Sequence, residues 1–263
     1  MKRWWGHILA GSLLLAAAAA ISTACVKDDS TVFIFDVLQQ QLVSAGSSCL
    51  FTSDPTQPYI SAGRLDIGFR ETYQATFLVG NQIVPQGNPT IPQTETSYVQ
   101  FNGAVVSITD TEGNQLANYT EMVGAAALAP AQGTTPSFEP IGVTIVDQGT
   151  VDQIAPAVIA GATRTLITHT YFFGQTLGGE NVQTGEFAFP VTVCYGCLVS
   201  FSPGDVDQDA SVIPNCENAV GSSSTTALPG PCYPGEDFSV DCSQCLALSI
   251  CRPGGSGLDA GTD

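Results

Sequence analysis

The chain has 263 residues, with 7 Lys+Arg against 24 Asp+Glu, a formal net charge of −17, 44% hydrophobic residues and 9 Cys. That length suits one large domain or a domain plus a small module, and the apolar fraction is too high for a disordered chain. Nucleic acid and anionic membrane surfaces are disfavoured as partners, because almost no cations are present to neutralise phosphates.

The first residues read as an address. Lys2 and Arg3 form a positive start, Ile8–Ala20 is an apolar run too short for a membrane span, and Ser22, Thr23 and Ala24 are small. An ordinary signal peptidase would accept Ser22 and Ala24. Ile21-Ser22-Thr23-Ala24-Cys25 also resembles the bacterial lipobox, in which the cysteine becomes the lipidated first residue, although Ser22 stands where Leu is usual. Cysteine parity favours the lipobox. Nine is odd, and withdrawing Cys25 leaves eight, enough for four disulfides. Residues 1–24 are therefore expected to be a lipoprotein signal peptide and 25–30 a tether, with the membrane reached through a lipid on Cys25. Cleavage there would remove Trp4, Trp5 and His7, and the loss of Lys2 and Arg3 would take the formal charge to −19.

Beyond the tether, Thr31–Asp36 reads as a first strand, rich in β-branched and aromatic residues. Residues 37–62 are mostly polar and carry the isolated Cys49. Leu65, Ile67 and Phe69 alternate with Asp66, Gly68 and Arg70, the period-two pattern of a half-buried strand. Tyr73–Val79 is a second run, closed by Gly80 and Asn81. Tyr98–Phe101 and Ala104–Thr109 form a third strand or a bent pair, with Gly103 at a bulge. Residues 110–114 make a turn, folding the strand back as a hairpin through Gln115–Glu121. Ala125–Ala131, interrupted by Pro130, reads as loop or a short helical turn. Phe138–Val146 is another strand, and Val151–Ala160 is a short helix begun by Pro156 or a loop. Thr165–Gln175 and Glu186–Cys194 are the strongest strands of the second half, and Leu198–Phe201 ends the sheet.

Short strands, glycine-rich turns and no long 3.6-residue period predict an all-β fold, an antiparallel β-sandwich over 31–201. Its strand spacing resembles bacterial immunoglobulin-like extracytoplasmic modules, although the Cys…Trp…Cys signature of antibody domains is absent. At Ser202 the composition shifts. Residues 202–251 read as a small, disulfide-rich, loop-dominated module, and 252–263 as a disordered tail.

The module holds Cys216, Cys232, Cys242, Cys245 and Cys251, while Cys194 and Cys197 stand at the end of the last long strand. Two CxxC pairs, Cys194–Cys197 and Cys242–Cys245, would suit a tetrahedral zinc site in a cytosolic chain. An exported chain meets an oxidising compartment, so disulfides among these seven and Cys49 are the expectation, with connectivity not readable from spacing. No metal is assigned. Asp205, Asp207 and Asp209 space three carboxylates as at the start of an EF-hand-like or dockerin-like calcium loop. Ala210 then occupies the place of the turn glycine and Cys216 that of the bidentate Glu. A solvated acidic linker is the preferred reading.

Catalysis has poor material. After cleavage one histidine (His169) and one lysine (Lys27) remain, with no GxSxG elbow, no HExxH and no phosphate-binding loop. Paired carboxylates, as in glycosidases, have no motif behind them here. No catalytic residue and no cofactor are assigned. In its lipobox, sandwich and cysteine-rich tail the chain resembles uncharacterised lipoproteins of myxobacteria-like bacteria. That resemblance implies outer-membrane sorting, since Val26 and not Asp follows Cys25. The expectation is a non-enzymatic, lipid-anchored envelope protein, a structural or interaction module with an envelope-protein partner. A calcium-assisted ligand-binding or adhesion module, or a carboxylate-dependent hydrolase, are the alternatives.

Overall fold

The computed structural model describes residues 31–43, 49–86, 95–124, 127–201 and 230–241. In chain order, the first five strands are β1 (Val32–Leu38), β2 (Leu42–Val43), β3 (Tyr59–Ile60), β4 (Gly63–Asp66) and β5 (Tyr73–Asn81). Next come β6 (Val99–Asp110), β7 (Gln115–Met122), β8 (Ala127–Leu128) and β9 (Ser137–Val146), followed by the helix α1 (Gln148–Ile159). The second half supplies β10 (Arg164–Thr176), β11 (Asn181–Gln183), β12 (Phe187–Cys194), β13 (Val199–Ser200), β14 (Gly230–Pro231) and β15 (Val240–Asp241).

Two sheets carry the fold, one ordered β3-β1-β5-β9 and the other β4-β12-β10-β6-β7, with β8 added to β6 and β11 to β10. Their pairings are antiparallel except β4 with β12. This is the all-β sandwich that the alternation predicts. Along β10 the period of two is explicit: Leu166, Thr168, Thr170 and Phe172 are buried while their neighbours are not. The inner faces meet through aromatic rings. Phe77 of β5 stands edge-on to Phe172 of β10 at 5.5 Å, and Phe101 of β6 meets the same ring at 5.8 Å. Burying each such ring contributes on the order of 2–3 kcal/mol.

Four local expectations are corrected. The strand expected across residues 65–70 stops at Asp66. The Asp66 side chain accepts the Gly68 N–H at 2.9 Å and its carbonyl accepts the Phe69 N–H at 3.0 Å, turning the chain over. Residues 99–110 are the single strand of the two alternatives, but the bulge falls on Asn102, skipped between the Phe173–Gly103 and Gly174–Phe101 partners, and not on Gly103. The helix starts after Asp147 and holds Pro156 inside it, not at its first turn. Its first turn is organised by Asp147, whose carboxylate accepts the Thr150 hydroxyl. Within the Ala-rich stretch, Ala127 and Leu128 pair with β6.

Three of the four sheet edges, β9, β7 and β4, are met by other parts of the chain. At one side β9 faces β7: the Glu121 carboxylate accepts the Thr144 N–H at 2.8 Å, and the Tyr119 hydroxyl donates to the Thr144 carbonyl at 2.8 Å. Side chains thus satisfy backbone groups that would otherwise recruit another strand. At the other side the free edge of β4 is met by residues 230–241, far along the chain.

Candidate functional site

Residues 230–241 lie against the sandwich at four levels. Gly230 and Pro231 pair with β2, and Val240 and Asp241 run parallel to β13. Leu198–Phe201 therefore joins this returning segment and does not extend the large sheet. Between these pairings, Glu236 makes an isolated bridge to Leu65, and the Gly235 carbonyl accepts the Asp66 N–H at 2.8 Å. A disulfide between Cys49 and Cys232, 183 residues apart in sequence, adds a covalent link.

The polar groups at this junction converge. Asp237 takes a left-handed backbone, with φ of 61°, a region that Asp tolerates better than most residues. That turn lets the Asp237 N–H donate to the Arg64 carbonyl at 3.0 Å while its carboxylate accepts the Arg64 N–H at 2.9 Å. The same carboxylate accepts the Tyr73 hydroxyl at 2.9 Å. Glu236, 1% exposed, accepts the Gln74 N–H at 3.0 Å and pairs with the Arg70 guanidinium at 3.2 Å. Arg70 also lies 5.2 Å above the ring of Tyr233. Gln40 completes the set, receiving the Tyr233 N–H at 2.7 Å and donating to the Glu236 carbonyl.

Burial governs the electrostatics. It pushes the Glu236 carboxyl up to about 8 against the opposing pull of Arg70. Burial likewise raises Asp237, and it raises the Tyr73 phenol well above its usual range, with the Asp237 charge adding to the effect.

A displaced carboxyl is a mark of catalytic sites as well as of structural networks. Here Glu236 and Tyr73 are each 1% exposed and engaged with other parts of the chain. Two clefts among the described residues, about 580 and 540 Å³, are lined elsewhere, one by Thr31, Ser97 and Glu180 and the other by Glu112, Gln153 and Arg164. What this arrangement can do chemically is hold two distant chain segments together.

Beside it lies a second hub. The two oxygens of the fully buried Asp66 carboxylate accept the N–H groups of Gly68, Gly196 and Leu198 at 2.9, 2.7 and 2.8 Å. This fixes the Cys194-Tyr195-Gly196-Cys197 loop, whose cysteines are bonded to each other. Asp66, Cys194 and Cys197 bring three donor atoms within 4.8 Å of one another. With the sulfurs joined they are not thiolates, the form a zinc ion requires.

Cys49, Cys232, Cys194 and Cys197 are thus all in disulfides. Cys25, Cys216, Cys242, Cys245 and Cys251, and the acidic residues Asp205, Asp207 and Asp209, lie outside the described residues. His169 sits on β10 with its Nδ1 2.9 Å from the Glu186 carboxylate, at the surface. Sequence reasoning missed Glu236, Asp237, Tyr73, Arg70 and Gln40. The available signals were Arg70, one of the chain's few cations, and the adjacent acids after the Pro234–Gly235 turn. Compared with protein-family models, curated proteins and solved structures, the chain matches none.

Proposed function

We propose that the protein is an exported, lipid-anchored envelope protein whose sandwich serves as a structural or interaction module and carries no catalytic centre. The observation that carries this reading is the Cys49–Cys232 disulfide, which ties the region after the first strand to the tail. Such a link belongs to an oxidising compartment, and the segment ending at Cys25 is the address that would deliver the chain there. The junction of Gln40, Arg70, Tyr73, Glu236 and Asp237, a clasp between β4 and residues 230–241, agrees with this reading, because its acids and its arginine are engaged in fastening the segment that Cys232 anchors. The resemblance of residues 21–25 to a lipobox, with Val26 following, supports an outer-membrane anchor in this reading, and an envelope protein is the proposed partner.

Fractionation of the producing cell tests the reading. The native chain should stay with the envelope through high-salt and alkaline washes, and a Cys25→Ser chain should leave it. Crosslinking should capture an envelope protein equally well with calcium chelated. Equal release of both chains would overturn the anchor, and a calcium-dependent crosslink would turn the account toward an adhesion module.

A further inference from the structure

The outer face of the four-stranded sheet carries an aromatic cluster that the sandwich core does not use. In β1 the register slips between Ile34 and Asp36, so that Phe35 is the extra residue. Ile34 keeps its place against the core and Phe35 is turned out, 47% exposed. Phe33, Gly80 and Phe138 form one row across β1, β5 and β9. The absence of a side chain at Gly80 is what lets the Phe33 ring lie down on the sheet, since a Cβ there would collide with it. The Phe138 ring stands edge-on to both others, with centroids 6.1 Å from Phe33 and 5.3 Å from Phe35.

The cluster's place is specific. It sits at the end of the sheet where the chain enters β1, and Phe33 is eight residues after Cys25. A fully extended chain of that length reaches about 28 Å. A lipid on Cys25 would therefore hold these rings within a few nanometres of the bilayer at high effective concentration. Charge selects the kind of lipid. With a formal charge of −19 after cleavage and one lysine in the tether, the chain has little attraction to an anionic surface, whereas an apolar face bearing Phe rings buries into the interface of an uncharged bilayer through apolar area alone.

We propose that Phe33, Phe35 and Phe138 form a membrane-docking face that seats the sandwich on the interface of a zwitterionic bilayer. The inference rests on the lipid anchor proposed above. It makes the tether one of two attachments that fix the domain's orientation.

The removal of Trp4 and Trp5 with the signal peptide gives a clean reporter, because no other tryptophan is present. The lipidated mature chain carrying Phe35→Trp is incorporated into phosphatidylcholine–phosphatidylethanolamine vesicles with and without brominated acyl chains. A second chain carries Met122→Trp, at a 72% exposed position on β7 of the other sheet. The Phe35→Trp emission should shift to shorter wavelength and be quenched about twofold or more by brominated lipid, as expected for a ring at the interface, while Met122→Trp stays unquenched. If both chains float with the vesicles and neither is quenched, the docking face is overturned and the anchor stands. Quenching of both overturns the assigned face. Failure of either chain to float overturns the anchor and the docking face together.

Discussion

Tyr73 and Asp237 are 164 positions apart, yet the phenol of one donates to both carboxylate oxygens of the other at 2.9 and 3.0 Å. The bond shows what the tail segment is for in this fold. A strand edge that would otherwise lie open at β4 is closed by residues supplied from beyond the sandwich, among them the buried Glu236 and the half-buried Asp237.

The Glu236 carboxyl gives that closure a pH dependence. Its folded value of about 8 lies above its ordinary 4.5, so the folded state binds more protons between those limits. Its contribution to stability is therefore fully present below about pH 4.5 and is lost as the pH rises through about 8. Chemical denaturation of the native chain from pH 5 to 9 should show a decline, and Glu236→Gln should flatten it while changing stability little at pH 6. Glu236→Ala, which takes the acceptor from the Gln74 N–H and from Arg70, should cost about 1–3 kcal/mol. A native chain that gains stability from pH 5 to 9 would contradict the assignment.

Asp66 should be the most sensitive single polar position. Asp66→Ala strips the acceptor from three backbone N–H groups, and buried donors left without partners cost about 1–3 kcal/mol each. A loss of about 3 kcal/mol or more is expected in denaturant melts, with Asp66→Asn, which retains one acceptor oxygen, in between.

The two disulfides among the described residues should differ in weight. Loop-closure entropy predicts about 5 kcal/mol for a span like Cys49–Cys232 and about 2 kcal/mol for Cys194–Cys197, whose separation is 3. Paired Cys→Ser variants at each bridge, compared by urea denaturation, test the ranking. A loss at Cys49–Cys232 no larger than at Cys194–Cys197 would contradict the ranking.

Glycines separate into those that space permits to change and those it does not. A Cβ at Gly174 would meet the Gln100 carbonyl and lie 2.8 Å from the Phe101 Cα, both backbone, so Gly174→Ala should cost about 2–3 kcal/mol. At Gly142 the nearest atom is the flexible Gln74 Nε2 at 3.4 Å, and Gly142→Ala should fold with unchanged Tm to within a few degrees.

What could be read from the sequence follows from range. The alternation of β10 and the 110–114 hairpin turn are local signals, and both appear in the fold where the pattern puts them. The Leu65–Phe69 alternation was equally local and misled, because Asp66 at its centre serves distant N–H groups and bends the chain. The clasp was invisible for a related reason. Glu236, Asp237, Arg70 and Tyr73 acquire their roles only when residues 230–241 return to β4, and no periodicity encodes a contact made across 160 residues. Cys49 was a further clue beside Arg70 and the adjacent acids: in a chain expected to be exported, an isolated cysteine calls for a distant partner.

The most direct test of the account is the intact mass of the mature protein from its native envelope, with and without reduction, together with thiol counting, metal analysis and a map of crosslinked peptides. The account predicts a chain that begins at lipid-modified Cys25, with no free thiol, no zinc and a peptide pair joined through Cys49 and Cys232. An unlipidated chain with free thiols and stoichiometric zinc would contradict it.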